Sequence, residues 1–282
     1  MISFVFFGTS EFAVYVLDEL KNKGFVPSLV VTRPDKPQGR KLLLHPSPVK
    51  IWAKKNNVSI HEPLELDSEF TDKLQATSYK LFIVASYGKI IPDEILNIPS
   101  LKTLNVHPSL LPKLRGASPL QTAILKEEKT GVSVIRLDSE MDHGPIIAQK
   151  EITISPWPPR VDALEETLGR EGGKLLADAI PDWEKGKLKE MPQDDTQATY
   201  TKKISKDDGR LDLNDDPFIN YKKIQAYYGW PGAYFFIENK GKKMRVIVKD
   251  AVFSNATLEI TRVIPEGKNE MSYADFKKWI VS

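Results

Sequence analysis

The 282-residue chain contains no cysteine. That absence removes disulfides, thiol nucleophiles and cysteine-ligated metals together, and it is ordinary for a reducing compartment. Histidine is scarce as well: His45, His61, His107 and His143 are the only four, and none pairs with another at a ligand spacing, so no metal is expected. An excess of charge is also missing. With 40 Lys and Arg against 38 Asp and Glu, the net +2 is too small for overall charge to announce nucleic acid or a membrane, so any electrostatic message has to be local. No apolar run is long enough to cross a bilayer, and the apolar stretch 2–7 lacks the basic flank and cleavage site of a signal peptide. The expectation is a cytoplasmic monomer without membrane contacts. One further shortage matters: Gly8-Thr9-Ser10-Glu11-Phe12 keeps only the first glycine of a dinucleotide-binding turn and adds an acid, which argues against a nicotinamide or flavin. Ser10 is expected to cap the first helix instead.

What is present is an alternation of two periods. Strands are predicted over 2–7, 28–32, 80–85, 102–106, 131–137 and 146–152, with helical spacing over 11–23, 48–56, 68–76 and 119–126. That order implies an α/β fold with a mostly parallel, Rossmann-like sheet and a site at the carboxyl ends of its strands. A last helix after Arg160 aligns Leu164, Leu168, Leu175, Leu176, Ile180 and Trp183 on one face. The polar, aperiodic stretch that follows reads as a linker, giving domains over 1–185 and 204–282 with 186–203 between them. The second domain shows a helical run over 217–227 and short strands over 233–237, 244–249, 251–253 and 257–263, with turns at Asn239-Lys240-Gly241 and Ser254-Asn255, which suggests a small β-barrel of the oligonucleotide-binding kind.

Chemistry concentrates in Leu104-Asn105-Val106-His107-Pro108-Ser109-Leu110-Leu111-Pro112 and in Met141-Asp142-His143-Gly144-Pro145. Asn105 and His107 are two apart on a predicted strand, so the pleat sends both to one side. An amide can donate to a developing oxyanion, an imidazole can accept a proton, and Asp142 can orient and support the ring. Alone, Asn-x-His is common by chance, and a buried, hydrogen-bonded histidine is more frequent than a catalytic one. The whole block, however, resembles the formyltransferase superfamily that uses 10-formyltetrahydrofolate, whose signature is Asn-x-His, then Ser-Leu-Leu-Pro, then Asp-x-Gly. His143 departs from that pattern, because relatives more often carry a small or different residue there.

The resemblance implies catalytic roles for Asn105, His107 and Asp142, folate binding by Ser109, Leu110, Leu111 and Pro112, and main-chain pterin contacts at Tyr87 and Gly88. Arg115-Gly116-Ala117-Ser118-Pro119 is similar to the branch that formylates methionyl-tRNA. The basic loop agrees, since between Arg33 and Lys55 seven cations stand against Asp35 alone. A basic run is usually only solvated, but a loop of this size within an α/β domain needs a purpose. It resembles the insertion by which that branch contacts the acceptor end of initiator tRNA, which implicates Arg33, Lys36, Arg40 and Lys41. Trp230-Pro231-Gly232-Ala233, Pro265-Glu266-Gly267-Lys268, Met271 and Asp275-Phe276 extend the likeness through the second domain, although the chain stops sooner after Trp279 than that branch does. The implied activity is formyl transfer to methionyl-initiator tRNA, with 10-formyltetrahydrofolate as donor. A formyltransferase acting on an amino sugar nucleotide and a noncatalytic RNA-binding protein are the alternatives.

Overall fold

The computed structural model describes residues 2–38, 43–127, 129–239 and 241–281. They fall into two compact units. The first holds residues 1–116, 130–153 and 165–200, and the second holds 117–129, 154–164 and 201–282. Residues 186–200 of the stretch read as a linker lie within the first unit, and residues 117–129 and 154–164 lie within the second.

The first unit is built on β1 (Phe4–Gly8), α1 (Glu11–Asn22), β2 (Leu29–Val31), β3 (Lys36–Gln38), β4 (Leu43–His45), α2 (Pro48–Lys55), β5 (Ser59–His61), α3 (Ser68–Gln75), β6 (Leu81–Ala85), α4 (Asp93–Leu96), β7 (Thr103–His107) and the two-residue β8 (Arg115–Gly116). After α5 (Pro119–Lys126) come β9 (Thr130–Arg136), β10 (Ile146–Ile152) and the long α6 (Val161–Glu184). Seven strands form one sheet in the order β10-β9-β7-β6-β1-β2-β5. β5, β2, β1, β6 and β7 run parallel, while β9 pairs antiparallel with both β7 and β10. The predicted Rossmann-like sheet is thus present, and it gains β5 and α4, too short to leave a periodic signal.

Burial explains the parallel centre. Every residue of β1, β6 and β7 is buried, as expected of strands covered on both faces. α6 lies close to the sheet and to α1 because small residues face inward. A Cβ at Gly172 would stand 2.5 Å from Val106, and one at Gly169 or Gly173 would meet Tyr15 or Glu19 at 2.8 Å. The leucine face of α6 is buried at Leu164, Leu168, Leu176 and Ile180. At the start of α1 the expected serine cap is not made. Ser10 occupies the N-cap position without a side-chain bond, and Glu165 from α6 accepts the Phe12 N–H at 3.1 Å instead.

The second unit contains α5, α7 (Pro217–Ala226), β12 (Tyr234–Asn239), β13 (Lys242–Ser254), β14 (Thr257–Pro265), β15 (Met271–Ser272) and α8 (Tyr273–Val281), entered through β11 (Tyr200–Thr201). β12 to β15 form a four-stranded antiparallel sheet, the sheet of the small β domain predicted for this region. The strands expected over 244–249 and 251–253 are one strand, β13, whose register shifts around Asp250. Of the expected Asn239-Lys240-Gly241 turn, Lys240 lies outside the described residues. Phe235, Val246, Val263 and Phe276 are central to this unit's core.

Candidate active site

The switch in strand order falls between β1 and β6, and the loops that follow the parallel strands β1, β6 and β7 leave from the same edge of the sheet. The Thr9 hydroxyl donates to the Tyr87 carbonyl at 3.0 Å, tying the first two of these loops together. On β7, Asn105 and His107 are 7 % and 4 % exposed. Among the described residues the Asn105 carboxamide has no hydrogen-bond partner, so its donors remain free for a ligand.

His107 is placed from both sides. Its Nε2 lies 3.0 Å from the Leu114 carbonyl oxygen. A carbonyl only accepts, so Nε2 carries the proton, and Nδ1 is the nitrogen that turns to Asp142, with Oδ2 at 3.6 Å. That distance is too long for a hydrogen bond and short enough for strong attraction once the ring is charged. The neutral ring therefore offers a lone pair beside a carboxylate, an arrangement that accepts a proton and stabilises the resulting imidazolium. The Gly116 N–H donates to the same Asp142 oxygen at 2.8 Å and holds it in place.

The loops that make this geometry are strained. Asp142 and Leu114 have φ of 51° and 61°, and Ser86, at the end of β6, has 48°. Non-glycine residues in that region cost of the order of 1–3 kcal/mol each and persist only where their surroundings hold them. Part of the support comes from Gly144, where a Cβ would stand 1.8 Å from the Arg136 carbonyl oxygen. Gln193 supplies more: its Nε2 donates to the carbonyls of Asp142 and Gly144, each at 2.8 Å. The Gln193 Oε1 accepts from Arg115, whose guanidinium also reaches Asp195 at 2.8 Å and the Tyr200 hydroxyl at 3.2 Å. Arg115 is 1 % exposed. Burial works against its charge, but Asp195 and Tyr200 outweigh it and hold the pKa above the usual arginine value.

The Ser109-to-Pro112 stretch is braced by two polar side chains on neighbouring strands. The Ser133 hydroxyl donates to the Ser109 carbonyl at 2.7 Å and accepts from the Leu111 N–H at 3.1 Å, while Gln149 donates to the Leu111 carbonyl at 2.8 Å. Leu111 is buried and Leu110 half-buried, and Gly131 leaves the room that Leu110 fills. The Tyr87 side chain belongs to the core, edge-on to Phe7, and burial pushes its hydroxyl up to about 12. Tyr87 and Gly88 can therefore face a ligand through the main chain.

The basic loop is partly described. β3 and β4 form a hairpin pairing Lys36 with His45, Lys36 is exposed and Arg33 is half-buried. Arg40 and Lys41 lie outside the described residues. Lys50, counted among the local cations, is committed elsewhere: it bridges Asp35 at 2.7 Å and Glu62 at 2.9 Å, which raises its pKa. Among the described residues no group of His, Asp and Glu is placed to hold a metal, and no helix is long and apolar enough to cross a membrane.

Sequence reasoning names Asn105, His107 and Asp142, and the structure brings His107 Nδ1 within 3.6 Å of Asp142 Oδ2, with Asn105 two residues from His107 on β7. It does not find Leu114, Gln193, Ser133 or Gln149. Ser133 and Gln149 left a signal, being polar residues inside predicted strands and paired across β9 and β10. Gln193 left none, because its partners are about fifty residues or more away.

A mostly parallel sheet carrying an amide, an imidazole and a carboxylate at its carboxyl edge describes an acyl-transfer class of enzyme, and the comparisons agree. Residues 1–180 match the formyl transferase family, and the chain belongs to it. The methionyl-tRNA formyltransferase of Chloroflexus aggregans is 40 % identical over 245 residues, 86 % of this chain and 78 % of that one. Among solved structures, a methionyl-tRNA formyltransferase from Clostridium thermocellum aligns at 17 % identity with a TM-score of 0.62, covering 94 % of this chain and 99 % of that chain. An N-formyltransferase from Helicobacter canadensis in complex with folinic acid and dTDP-3-aminofucose aligns at 18 % identity and TM-score 0.66, covering 90 % and 89 %. At those identities the structures speak for the fold alone. The protein is a formyl-transfer enzyme.

Proposed function

We propose that the protein transfers a formyl group from 10-formyltetrahydrofolate to the α-amine of methionine esterified to initiator tRNA. The observation that carries the chemistry is the meeting of His107 Nδ1 and Asp142 Oδ2 at 3.6 Å, with His107 on the strand that also carries the unpartnered Asn105 amide. The 40 % identity to a methionyl-tRNA formyltransferase, together with Arg115-Gly116-Ala117, favours tRNA over a sugar nucleotide as acceptor.

In this reading the amine nitrogen bonds to the formyl carbon and the bond from that carbon to the folate N10 breaks. Asn105 donates to the formyl oxygen as it gains negative charge, a contribution of about 3 kcal/mol for one well-aimed donor. His107 Nδ1 takes the proton the amine loses, Asp142 stabilises the imidazolium, and that proton returns to N10 as it leaves. The rest of the acceleration comes from holding amine and carbonyl together. Ser109, Leu110, Leu111 and Pro112, with the main chain of Tyr87 and Gly88, line the folate cleft. Arg33, Lys36, Arg40 and Lys41 grip the tRNA, residues 1–185 serve as catalytic domain and residues 204–282 as tRNA-binding domain. The enzyme works in the cytoplasm as a monomer, without a metal.

Incorporation of radiolabelled formyl from the folate donor into methionyl-tRNA tests this, with a dTDP-linked amino sugar as the parallel acceptor. Label in the tRNA is the expected outcome, and label in the sugar alone overturns the assignment.

A further inference from the structure

The turn that carries Asp142 also carries a residue the mechanism leaves unused. His143 Nδ1 lies 2.8 Å from Asp138 Oδ2, and its Nε2 lies 3.5 Å from Asp195 Oδ2. Asp195 is the carboxylate that pairs with the buried Arg115 through its other oxygen, and Arg115 in turn holds Gln193 against the Asp142 and Gly144 carbonyls. The ring thus spans the two halves of one assembly, with Asp138 on the turn and Asp195 on the segment that clamps it. A neutral imidazole can donate its single N–H to one carboxylate, whereas an imidazolium also carries the charge that attracts the second across 3.5 Å.

From this geometry we infer that His143, as an imidazolium, is a positioning residue that fastens the turn to the 193–195 segment and so fixes Asp142 relative to His107. The inference rests on reading Asn105, His107 and Asp142 as the transfer centre. The groups facing the ring act in one direction. The hydrogen bond to Asp138 comes first, burial opposes it, and the charges of Asp138, Glu140 and Asp195 add to it, so the His143 pKa stands above the ordinary value. Arg115 lies beyond Asp195 and is already paired with it. A raised pKa means the bridge is complete at low pH and is lost as pH rises through that value.

Two variants separate bridging from bulk. His143→Ala removes both contacts and is expected to lower kcat about tenfold with KM for methionyl-tRNA and for folate unchanged, the size of effect that a small misplacement of a reacting group produces. His143→Gln keeps one donor and cannot carry charge. The ratio of wild-type to His143→Gln kcat should therefore be several-fold near about pH 6 and approach one near about pH 9. A ratio flat across pH, or a His143→Ala enzyme with wild-type kcat, overturns the proposal.

A second arm needs no substrate. Imidazole NMR titration should find the His143 pKa raised in the wild type and lowered in Asp138→Asn, and the His107 ring resonances should move in His143→Gln. An unraised His143, or unmoved His107 resonances, overturns the bridge even if His143→Ala fails to fold. Absence of transfer to methionyl-tRNA by the wild type would count against the proposed acceptor, and the NMR arm would still decide the bridge.

Discussion

Asn105 is buried on β7, and its carboxamide has no partner among the described residues, which leaves its donors open to a ligand. Replacing it by Ala removes a donor without leaving a charge, so the fold should survive. Asn105→Ala is expected to lower kcat by about 10²- to 10³-fold, with an unchanged circular dichroism spectrum. A variant within tenfold of wild type would show that the amide does not face the oxyanion. The pair Asn105 and His107 was legible because a strand's period of two forces them to one side. The orientation of the ring was not legible. It depends on the Leu114 carbonyl, seven residues on and brought back by a left-handed backbone that local sequence does not announce.

At the scale of elements, the turn between β9 and β10 is the least forgiving part. Its return beneath Arg136 leaves no space for a side chain at Gly144. Gly144→Ala must push the turn outward, which disturbs the Asp142 carboxylate and the two Gln193 bonds together. Calorimetry should register a loss of about 1–3 kcal/mol, and kcat should fall at least tenfold, whereas an unshifted melting temperature would mean the turn relaxes freely. Capping shows how element boundaries were read and misread. α8 went unseen, yet Ser272 and Asp275 form a reciprocal cap, the Asp275 N–H donating to the serine oxygen at 3.1 Å and the serine hydroxyl donating back to the carboxylate at 2.7 Å. That signal was present in the sequence, in Ser272-x-x-Asp275. The start of α1 is the opposite case, because Ser10 looked like a cap and the donor it would have satisfied went to Glu165, more than 150 residues away.

At the scale of the whole molecule, a net charge of +2 conceals a local contrast that structure sharpens. Lys36 is exposed on the hairpin, whereas Lys50 is neutralised by Asp35 and Glu62. Binding of methionyl-tRNA should weaken steeply with salt. In a plot of log affinity against log salt concentration, Lys36→Ala should reduce the slope by about one. Lys50→Ala should leave the slope unchanged and lower thermal stability instead, and equal slope changes for the two would place Lys50 against phosphate.

The sequence by itself determined the alternation of strands and helices, the buried parallel centre and the antiparallel second sheet, and it placed Asn105 and His107 on one side of one strand. Each of these is written in the period of apolar residues or in a short motif, and burial on one face is a local requirement. Only the tertiary structure decided which imidazole nitrogen meets the carboxylate, which lysine is neutralised, and that the polar stretch before Tyr200 clamps the site around Arg115. Those outcomes rest on single hydrogen bonds between residues far apart in the chain, and such bonds impose no repeat on the sequence from which they could be read.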